Sequence, residues 1–433
     1  MKLNKAFYLL SCCSLMLLAA CSSKKIEETN NDIDFSGAES NLTLPDGFKA
    51  VVVAEDVGAA RHITVAQNGD IYVSLRNKTN GGGVAALRDT DGDGKADVRK
   101  YFGDHADTGI QLHDGYLYAS SPTAIYRYKM NGEDLVPQGE AEVLVKGFPE
   151  QRQHNEKAFV INDKDELFVN IGAPSNACQK KDRQKESPGM EPCPLLEEHA
   201  GIWKFSASQT GQTFSPEKRF ATGLRNIVAL DWNDNTEALY VVQHGRDQLF
   251  QNWPDYYSKE ESAKIPAEAM YKVNENDNFG WPYSYYDQTK SAIMLAPEYG
   301  GNGKKTIDET DYAGKFEKPI ISFPGHWAPN GLVFYDGKQF PEKYRGGAFI
   351  AFHGSWNRSP MPQQGYKVVF APFKDGKPAG DYSEFANGFA GTSSPQPSSA
   401  NHRPSGVAVG PDGSLYVADD AGGTIWRIVY SDE

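Results

Sequence analysis

The stretch GPDGSLYVADD, residues 410–420, joins a Gly/Asp turn to a short run of alternating side chains. In that run Leu415 and Val417 face one way, and Tyr416 and Ala418 face the other, because successive side chains of a strand point to opposite sides. Turn residues followed by such an alternation indicate a β-strand that is entered from a tight turn.

Five other stretches repeat this phrase of turn, strand and loop. They are NGDIYVS (68–74), HDGYLYASS (113–121), DKDELFVNIG (163–172), NTEALYVVQHG (235–245) and the looser GGAFIAFHGS (346–355). Further strands are expected between the phrases, at 48–54, 124–129, 201–205, 366–371 and 424–430, whereas no amphipathic helix of normal length is evident. Short strands that recur in units predict an all-β fold, a six-bladed β-propeller. A two-sheet sandwich is the alternative, but its strands would not recur as phrases.

The composition is that of a globular protein with many turns. The chain has 433 residues, of which 12% are aromatic and 23% charged, with 42 glycines and 25 prolines. Its formal net charge is −13, and no run of Lys or Arg exceeds two. A nucleic-acid partner is therefore excluded, because it would require a concentrated basic face.

The N-terminus has the pattern of a targeting segment. Lys2 and Lys5 precede an apolar stretch, and the sequence Leu18-Ala19-Ala20-Cys21 resembles the bacterial lipobox. The lipobox predicts a lipoprotein signal peptide over 1–20, lipidation of Cys21 and a membrane attachment through acyl chains. Residues 21–42 are predicted to be a flexible tether, and 43–433 the propeller domain. A plain secretory signal is the alternative. The lipobox places the protein in the cell envelope facing the periplasm, and Ser22 favours the outer membrane.

Two cysteines remain after this segment, Cys178 and Cys193. An isolated pair in an exported protein predicts one disulfide, which would close a loop rich in charged residues, Pro and Gly. A zinc site is the weaker alternative, since no second Cys pair accompanies them.

The run RDTDGDGKAD, residues 88–97, is a candidate metal site. Asp89, Asp91 and Asp93 alternate, Gly94 permits a sharp turn, and Asp97 follows. Oxygen ligands at these positions suit Ca²⁺ in a loop of the EF-hand type, in a structural role. The alternative is a solvated acidic hairpin without metal.

Three basic side chains stand just before phrases of different blades. His154 precedes the third phrase, Arg225 and Asn226 the fourth, and Arg403 the sixth. Loops of a propeller converge at its central channel, so we expect these groups to line one end of it. A neutral imidazole could act there as a general base, and guanidinium groups bind carboxylates. The alternative is that each arginine pairs with a nearby acid.

Two tryptophans, Trp327 and Trp356, lie in loops with Gly, Pro and Asn. Tryptophans in such loops either stack on a planar ligand or a sugar, or cover the edge of a blade.

Several longer segments carry a family resemblance. They are LRDTDGDGKAD (87–97), the His-Asn pair at 154–155 with NIGAPSNAC (170–178), GLRN (223–226), HGRDQL (244–249), NFGWPYSYYD (278–287), APNGLVFYDG (328–337), FHGSWNRS (352–359) and RPSGVAVGPDGSLYVADD (403–420). With these segments the chain resembles the pyrroloquinoline quinone (PQQ)-dependent soluble sugar dehydrogenases, most closely their sorbosone dehydrogenase-like branch. The resemblance covers nearly the whole chain after residue 42.

The resemblance implies a six-bladed propeller with PQQ over the channel. His154 matches the family's general base, and Arg225 and Asn226 match its quinone-contacting pair. Arg403 matches an arginine that contacts cofactor or substrate. The run Asn155-Glu156-Lys157 departs from the Gly-Gly-Arg type of run that follows the base in glucose-oxidising members.

The resemblance also implies a metal in the channel. Gly245 and Arg246 occupy the place where two backbone carbonyls hold the Ca²⁺ that polarises PQQ. Arg358 and His353 both lie near the position of the family's cofactor-binding lysine, and Trp327 is a candidate for stacking on the cofactor.

The function predicted from these residues is oxidation of an aldose, a sorbosone-like aldehyde or a related sugar alcohol. PQQ would accept the hydride, and a periplasmic electron carrier would reoxidise it. A Ca²⁺-dependent lactonase and a non-catalytic carbohydrate-binding propeller are the alternatives, because fold alone does not choose among them.

Overall fold

The structure, a computed structural model, describes Met1 and residues 40–431. The signal peptide predicted over 1–20, the lipidation of Cys21 and nearly all of the tether predicted over 21–42 lie outside the described residues. Among the residues described, no helix is long and apolar enough to cross a membrane.

Six small antiparallel sheets form the blades of a β-propeller, which confirms the predicted fold. Blade 1 holds β2 (Ala60–Val65), β3 (Ile71–Thr79), β4 (Gly82–Arg88) and β5 (Val98–Phe102). Blade 2 holds β6 (Ile110–His113), β7 (Tyr116–Ser121), β8 (Ala124–Lys129) and β9 (Glu142–Lys146), with β13 (Gln212–Thr213) added in parallel at its edge. Blade 3 holds β10 (Phe159–Ile161), β11 (Glu166–Ile171), β12 (Gly201–Ser206) and β14 (Arg219–Thr222).

The remaining blades continue the pattern. Blade 4 holds β15 (Ile227–Asn233), β16 (Ala238–Gln243), β17 (Glu268–Val273) and β20 (Ile321–Phe323). Blade 5 holds β21 (Pro329–Phe334), β22 (Ala348–Phe352), β23 (Lys367–Ala371) and β26 (Ser383–Ala386). Blade 6 holds β27 (Pro404–Val409), β28 (Leu415–Asp419) and β29 (Ile425–Tyr430), and its fourth strand is β1 (Phe48–Ala54).

The ring is closed by the pairing of β1 with β29. The two strands run antiparallel, with Phe48 opposite Tyr430. The first and last strands of the fold therefore share one sheet, and this closure leaves no blade missing a strand.

The six sequence phrases supply the second strand of each blade, namely β3, β7, β11, β16, β22 and β28. The alternation read from residues 415–418 is also found. Leu415 and Val417 pack in a cluster shared with blade 5, whereas Tyr416 and Ala418 pack in one shared with blade 1. Both faces of the strand are apolar because each blade is sandwiched between two neighbours.

The uneven spacing of the phrases comes from insertions between strands. The longest lie between β11 and β12, between β16 and β17, and between β17 and β20. They contain the short helices α1 (Leu249–Asn252) and α2 (Lys259–Lys264) and the hairpin of β18 (Ser284–Asp287) and β19 (Ala292–Leu295). A second hairpin pairs β24 (Phe373–Lys374) with β25 (Lys377–Pro378). Short 3-10 helices span Pro194–Glu197, Pro216–Lys218, Pro297–Tyr299, Ile307–Glu309 and Glu342–Tyr344.

The first strands of the six blades surround a central channel, where a cavity of about 440 Å³ is lined by all six of them. Neighbouring strands of a blade run in opposite directions, so the start of each first strand and the end of each second strand lie at one face of the ring. We call this face the site face, because the predicted site residues stand at these positions.

Candidate active site

His154 lies in the loop that leads into β10 and is held there by several hydrogen bonds. Its φ is +52°, in the left-handed region that residues other than glycine rarely adopt. The side-chain amide of Gln151 donates to the carbonyl oxygens of Gln153, His154 and Gly172, at 2.8, 2.7 and 3.0 Å. Such over-determined strain is typical of functional sites.

Lys157 supports the same loop from inside the protein. Its side chain is fully buried, and its ammonium donates to the carbonyl oxygen of Asn155 at 2.7 Å. The backbone amide of Lys157 donates to the buried carboxylate of Asp107 at 2.9 Å. Burial lowers the pKa of Lys157 to about 8, and Asp107 opposes this shift.

The tautomer of His154 follows from its one backbone contact. Nδ1 lies 2.6 Å from the carbonyl oxygen of Ala173, which only accepts hydrogen bonds, so Nδ1 carries the proton. Nε2 then holds a lone pair, which is the form that accepts a proton. Burial and the charge of Arg225 lower the pKa of His154 to about 3, while Glu156 raises it. The imidazole is therefore neutral at physiological pH.

Asn226, which directly precedes β15, lies close to His154 beside Gly172, the residue that follows β11. A Cβ added to Gly172 would lie 2.6 Å from both Oδ1 of Asn226 and Cβ of His154. The residue between them must therefore be glycine, which allows the two side chains to approach. The structure thus brings together the predicted base and the predicted Asn of the quinone-contacting pair.

Arg225 is buried at the site face, and its guanidinium makes several hydrogen bonds there. Its guanidinium donates to Oδ2 of Asp247 at 3.0 Å and to the carbonyl oxygen of Gly245 at 2.9 Å. It also donates to Oδ1 and to the carbonyl oxygen of Asn176, at 3.1 and 3.2 Å. Arg225 is the main cause that holds the pKa of Asp247 at about 2, against the opposing effect of burial. Arg225 therefore pairs with an acid, which is the alternative considered for it from sequence.

Asp247 connects three other segments of the chain around Arg225. Besides Arg225, it accepts a hydrogen bond from Nδ2 of Asn357 at 2.7 Å and contacts Arg183 at 3.4 Å. Its backbone amide donates to Oδ1 of Asn176 at 2.9 Å. Asp247 and Asn176 were missed from sequence, although both lie within quoted segments, two residues beyond Gly245 and two before Cys178.

Arg403 lies across the channel mouth in a second cluster. Its guanidinium donates to the carbonyl oxygens of His353 and Gly354, both at 3.1 Å. The ring of His353 contacts the carboxylate of Asp420. Arg403 is therefore held by backbone carbonyls and keeps part of its surface exposed.

Asp420 forms ion pairs with two further arginines, which the sequence analysis did not predict as site residues. Arg61 donates to Oδ2 of Asp420 at 3.0 Å, and Nη1 of Arg76 lies 3.5 Å from the same oxygen. The side chain of Arg76 is 54% exposed. Together with Arg403, it gives the channel mouth accessible guanidinium groups, which is the donor set that carboxylate groups of a ligand would bind.

Glu156 stands between the two clusters. Burial favours the protonated form of Glu156, but opposing effects, of which the charge of Arg61 is the largest, outweigh it and lower the pKa of this carboxyl. Its Oε2 is buried and has no hydrogen-bond partner. A buried carboxylate oxygen without a partner is costly in a folded protein, so this atom marks a place where a ligand or a developing positive charge fits.

The predicted calcium ligands of the channel have other contacts in this structure. The carbonyl oxygen of Gly245 accepts from Arg225, and its amide donates to Glu268 at 2.9 Å. The side chain of Arg246 is buried in an ion pair with Glu298. A cation at the Gly245 carbonyl would face the guanidinium of Arg225, so this carbonyl does not fit a channel Ca²⁺ as it stands.

Two predicted cofactor contacts lie in the protein interior. Trp327 is 8% exposed, and its indole packs edge-on against Phe352 at 5.2 Å between ring centres. Arg358 is buried, and its guanidinium donates to the carbonyl oxygens of Gly325 and Pro362 at 2.8 and 3.2 Å. Trp327 thus packs in an apolar cluster and does not face a ligand, and Arg358 fixes its own loop.

In the acidic loop between β4 and β5, three of the four predicted calcium ligands come together. Carboxylate oxygens of Asp89, Asp91 and Asp97 lie within 4.8 Å of one another, whereas Asp93 is not part of this group. Gly94 has a φ of +86°, as the predicted turn requires. The loop joins the outer strands of blade 1, so any Ca²⁺ here would lie away from the channel.

The predicted disulfide is confirmed. Cys178 and Cys193 are bonded, with 6.2 Å between their Cα atoms. The bond fastens the insertion between β11 and β12 to itself. Arg183 of this insertion donates to Oε1 of Gln153, next to His154, at 3.2 and 3.1 Å. The insertion therefore forms one wall of the site.

Comparisons with known protein sequences find one family and a few relatives. The family model described as TrAA12-like matches residues 42–431. An uncharacterized protein of Borreliella burgdorferi is 26% identical over 405 residues, which cover 90% of this chain and 91% of that protein. A pyrroloquinoline quinone-dependent pyranose dehydrogenase of Coprinopsis cinerea is 26% identical over 160 residues, which are 35% of this chain and 21% of that protein.

Solved structures share the fold over nearly the whole propeller. The holo form of the pyranose dehydrogenase PQQ domain from Coprinopsis cinerea has a TM-score of 0.69 at 21% identity, covering 90% of this chain and 97% of that one. The calcium structure of a Trichoderma reesei carbohydrate-active enzyme of family AA12 has a TM-score of 0.72 at 18% identity, with coverages of 90% and 97%. The PQQ-bound aldose sugar dehydrogenase from Streptomyces coelicolor has a TM-score of 0.53 at 17% identity, with coverages of 90% and 100%.

Proposed function

The chain belongs to the TrAA12-like family, and from that premise we propose that it is a PQQ-dependent dehydrogenase of sugars. The observation that carries the proposal is a neutral His154 with an available Nε2, placed beside Asn226 and Arg225 at the mouth of a propeller channel. The relatives named above as pyranose and aldose sugar dehydrogenases support both the cofactor and the substrate class.

The residues at the site face fit an anionic, planar cofactor. Arg76 and Arg403 offer exposed guanidinium surface to carboxylate groups, and Asn226 offers an amide close to the base. When bound, PQQ supplies a quinone that accepts a hydride, and thus two electrons, from a sugar.

Within this site we assign His154 the role of general base. Nε2 takes the proton of the reacting hydroxyl while Nδ1–H stays bonded to Ala173, so the ring does not rotate as its charge changes. The nearby carboxylate of Glu156 stabilises the imidazolium that forms. Arg225 is held by Asp247 and Asn176 and fixes this side of the pocket.

The finer parts of the proposal concern substrate, metal and location. We propose an aldose, a sorbosone-like aldehyde or a related sugar alcohol as substrate, with a periplasmic electron carrier as the final acceptor. Ca²⁺ is proposed at Asp89, Asp91 and Asp97 as a structural ion. The lipobox at Cys21 supports a lipid-anchored protein of the cell envelope.

The proposal is tested by reconstitution. The metal-free protein is mixed with PQQ, with and without Ca²⁺, and cofactor absorbance and dye reduction are followed over a panel of sugars and aldehydes. PQQ binding with sugar-dependent dye reduction is expected. Lactone hydrolysis that a chelator abolishes, without any dye reduction, would replace the proposal with a lactonase, and sugar binding without turnover of either kind would indicate a binding propeller.

A further inference from the structure

We propose that Trp356 is a stacking platform for a sugar unit outside the reaction pocket, so that the substrate is an oligosaccharide of which one end reacts. This inference rests on the proposed function, because it concerns the same site. It adds a binding position, a ligand class and a specificity-determining residue.

Trp356 is the exception among the tryptophans of this chain. Its exposed fraction is 58%, and all seven tryptophans lie in the described residues. The other six are buried or half-buried, at positions Trp203, Trp232, Trp253, Trp281, Trp327 and Trp426. An indole exposed to water does not contribute the favourable free energy of burying its apolar surface. The exposure of Trp356 therefore indicates a role other than stabilising the fold.

Mobility of the loop does not explain the exposure, because the residues on both sides of Trp356 are fixed. The hydrogen bonds are Gly354 N to Trp327 O at 2.9 Å, Ser355 N to Gln364 O at 2.8 Å, Tyr366 Oη to Ser355 O at 2.7 Å, Asn357 Nδ2 to Asp247 Oδ1 at 2.7 Å and Arg358 Nη1 to Gly325 O at 2.8 Å. The indole is thus presented to solvent from a rigid loop, as a pre-organised contact would be.

The loop belongs to the site face. It follows β22, the second strand of blade 5, and the residue after Trp356 reaches into the site. Asn357 donates to Asp247, and Asp247 accepts from Arg225 at 3.0 Å. Trp356 therefore stands one residue away from a side chain that contacts the Arg225 cluster, but on the solvent side of it.

The chemistry favours a sugar ring over a protein partner. Besides Met1, the exposed large apolar side chains of the described residues are Val143, Tyr256 and Trp356. Three such side chains are too few to make the contiguous apolar patch that a protein interface needs. A single exposed indole suits the C–H face of one pyranose ring. Because Trp356 is exposed on the solvent side of Asn357 while His154 is only partly exposed, we assign the ring on Trp356 to a different unit from the one that reacts.

The test is a calorimetric titration of the full chain with glucose, cello-oligosaccharides and malto-oligosaccharides. It compares the wild type with Trp356→Ala, with the conservative Trp356→Phe, and with Val143→Ala as a control for losing an exposed apolar side chain elsewhere. The wild type is expected to bind oligosaccharides of one series more tightly than glucose. Trp356→Ala should weaken that binding about tenfold, which is about 1.4 kcal/mol, and change glucose binding less than about twofold. Trp356→Phe should retain part of the affinity, and Val143→Ala all of it.

Three results would overturn the platform: no oligosaccharide binding by the wild type, the same affinity after Trp356→Ala, or an equal loss for glucose and oligosaccharides. Because binding is measured without turnover, the test stands apart from the dehydrogenase proposal. Trp356-dependent oligosaccharide binding without PQQ-dependent dye reduction would support the stacking role of Trp356 and contradict the proposed dehydrogenase activity. PQQ-dependent dye reduction without Trp356-dependent binding would support the dehydrogenase activity and contradict the stacking role of Trp356.

Discussion

Nη2 of Arg225 lies 3.0 Å from Oδ2 of Asp247, and both side chains are largely buried at the mouth of the channel. Removing one partner of a buried ion pair leaves the other charge without compensation, which is more destabilising than losing an exposed pair. Asp247→Asn is therefore expected to lower the free energy of unfolding by about 3 kcal/mol, measured by urea denaturation. Glu237→Gln, which breaks the exposed Lys164–Glu237 pair at 2.8 Å, is the matched control and should change little. Equal effects of the two substitutions would contradict the role given to Asp247.

Glu156 is expected to act on the charge of His154. Its carboxylate raises the pKa of His154, against the effects of burial and Arg225, and its Oε2 has no hydrogen-bond partner. Glu156→Gln keeps the shape but removes the charge, so the imidazolium formed during proton transfer loses stabilisation. We expect kcat to fall about tenfold, less than the loss of the general base itself would cause, and KM to change little.

The check on Glu156 is steady-state kinetics of Glu156→Gln and Glu156→Asp with one sugar. Glu156→Asp keeps the charge and should recover part of kcat. A change confined to KM would show instead that Glu156 binds substrate and does not stabilise the base.

The propeller fold could be predicted from the sequence because the same unit of turn, strand and loop occurs six times. Each phrase supplies a second strand with two apolar faces, and the packing of Leu415 and Tyr416 into different clusters shows why both faces must be apolar. His154 and Asn226 could be found because each stands next to a strand in a loop. The segment before Cys21 lies outside the described residues, so the lipid anchor stays a prediction.

The acidic half of the site could not be read in the same way. Asp420 pairs with Arg61, 359 residues earlier in the chain, because blades 6 and 1 are neighbours only once the ring has closed. Arg61 lies inside a strand and Asp420 ends a phrase, so neither position is unusual locally. Conversely, Trp327 and Arg358 stand in loops of promising composition, but their side chains turn into the protein.

The stability of the protein should fall in acid partly because of His62. Burial lowers its pKa to about 4, although Nε2 donates to the carbonyl oxygen of Asn330 at 2.8 Å. The folded state therefore resists a proton that the unfolded state accepts below its ordinary pKa of about 6.5. The contribution of His62 is complete above that value and is lost as the pH falls toward 4, by about 1.4 kcal/mol for each pH unit.

The measurement compares urea unfolding of the wild type and His62→Gln between about pH 7 and pH 5. The free energy of the wild type should fall more steeply below about pH 6.5, so that the difference between the two proteins changes with pH. Parallel curves would show that His62 does not contribute in this way.

The acidic loop of blade 1 should bind Ca²⁺ through three of its four aspartates. Addition of Ca²⁺ to metal-free protein is expected to raise the thermal unfolding midpoint, and Asp91→Asn should abolish this rise, because Asp89, Asp91 and Asp97 converge. Asp93→Asn is the control, since Oδ1 of Asp93 accepts from the amide of Lys95 at 2.8 Å and its carboxylate is outside the group. A wild type that does not respond to Ca²⁺, or equal effects of the two substitutions, would mean that the loop is a solvated acidic hairpin.

In the proposed reaction His154 takes the proton of the reacting hydroxyl through Nε2. The most direct measurement is kcat of His154→Ala with PQQ bound, next to His113→Ala, a histidine at the end of β6 at the opposite face of the ring. We expect unchanged PQQ absorbance in both variants, a loss of kcat of about 100-fold or more in His154→Ala, and an unchanged kcat in His113→Ala. A His154→Ala variant that binds PQQ and turns over sugar at the wild-type rate would contradict this role of His154.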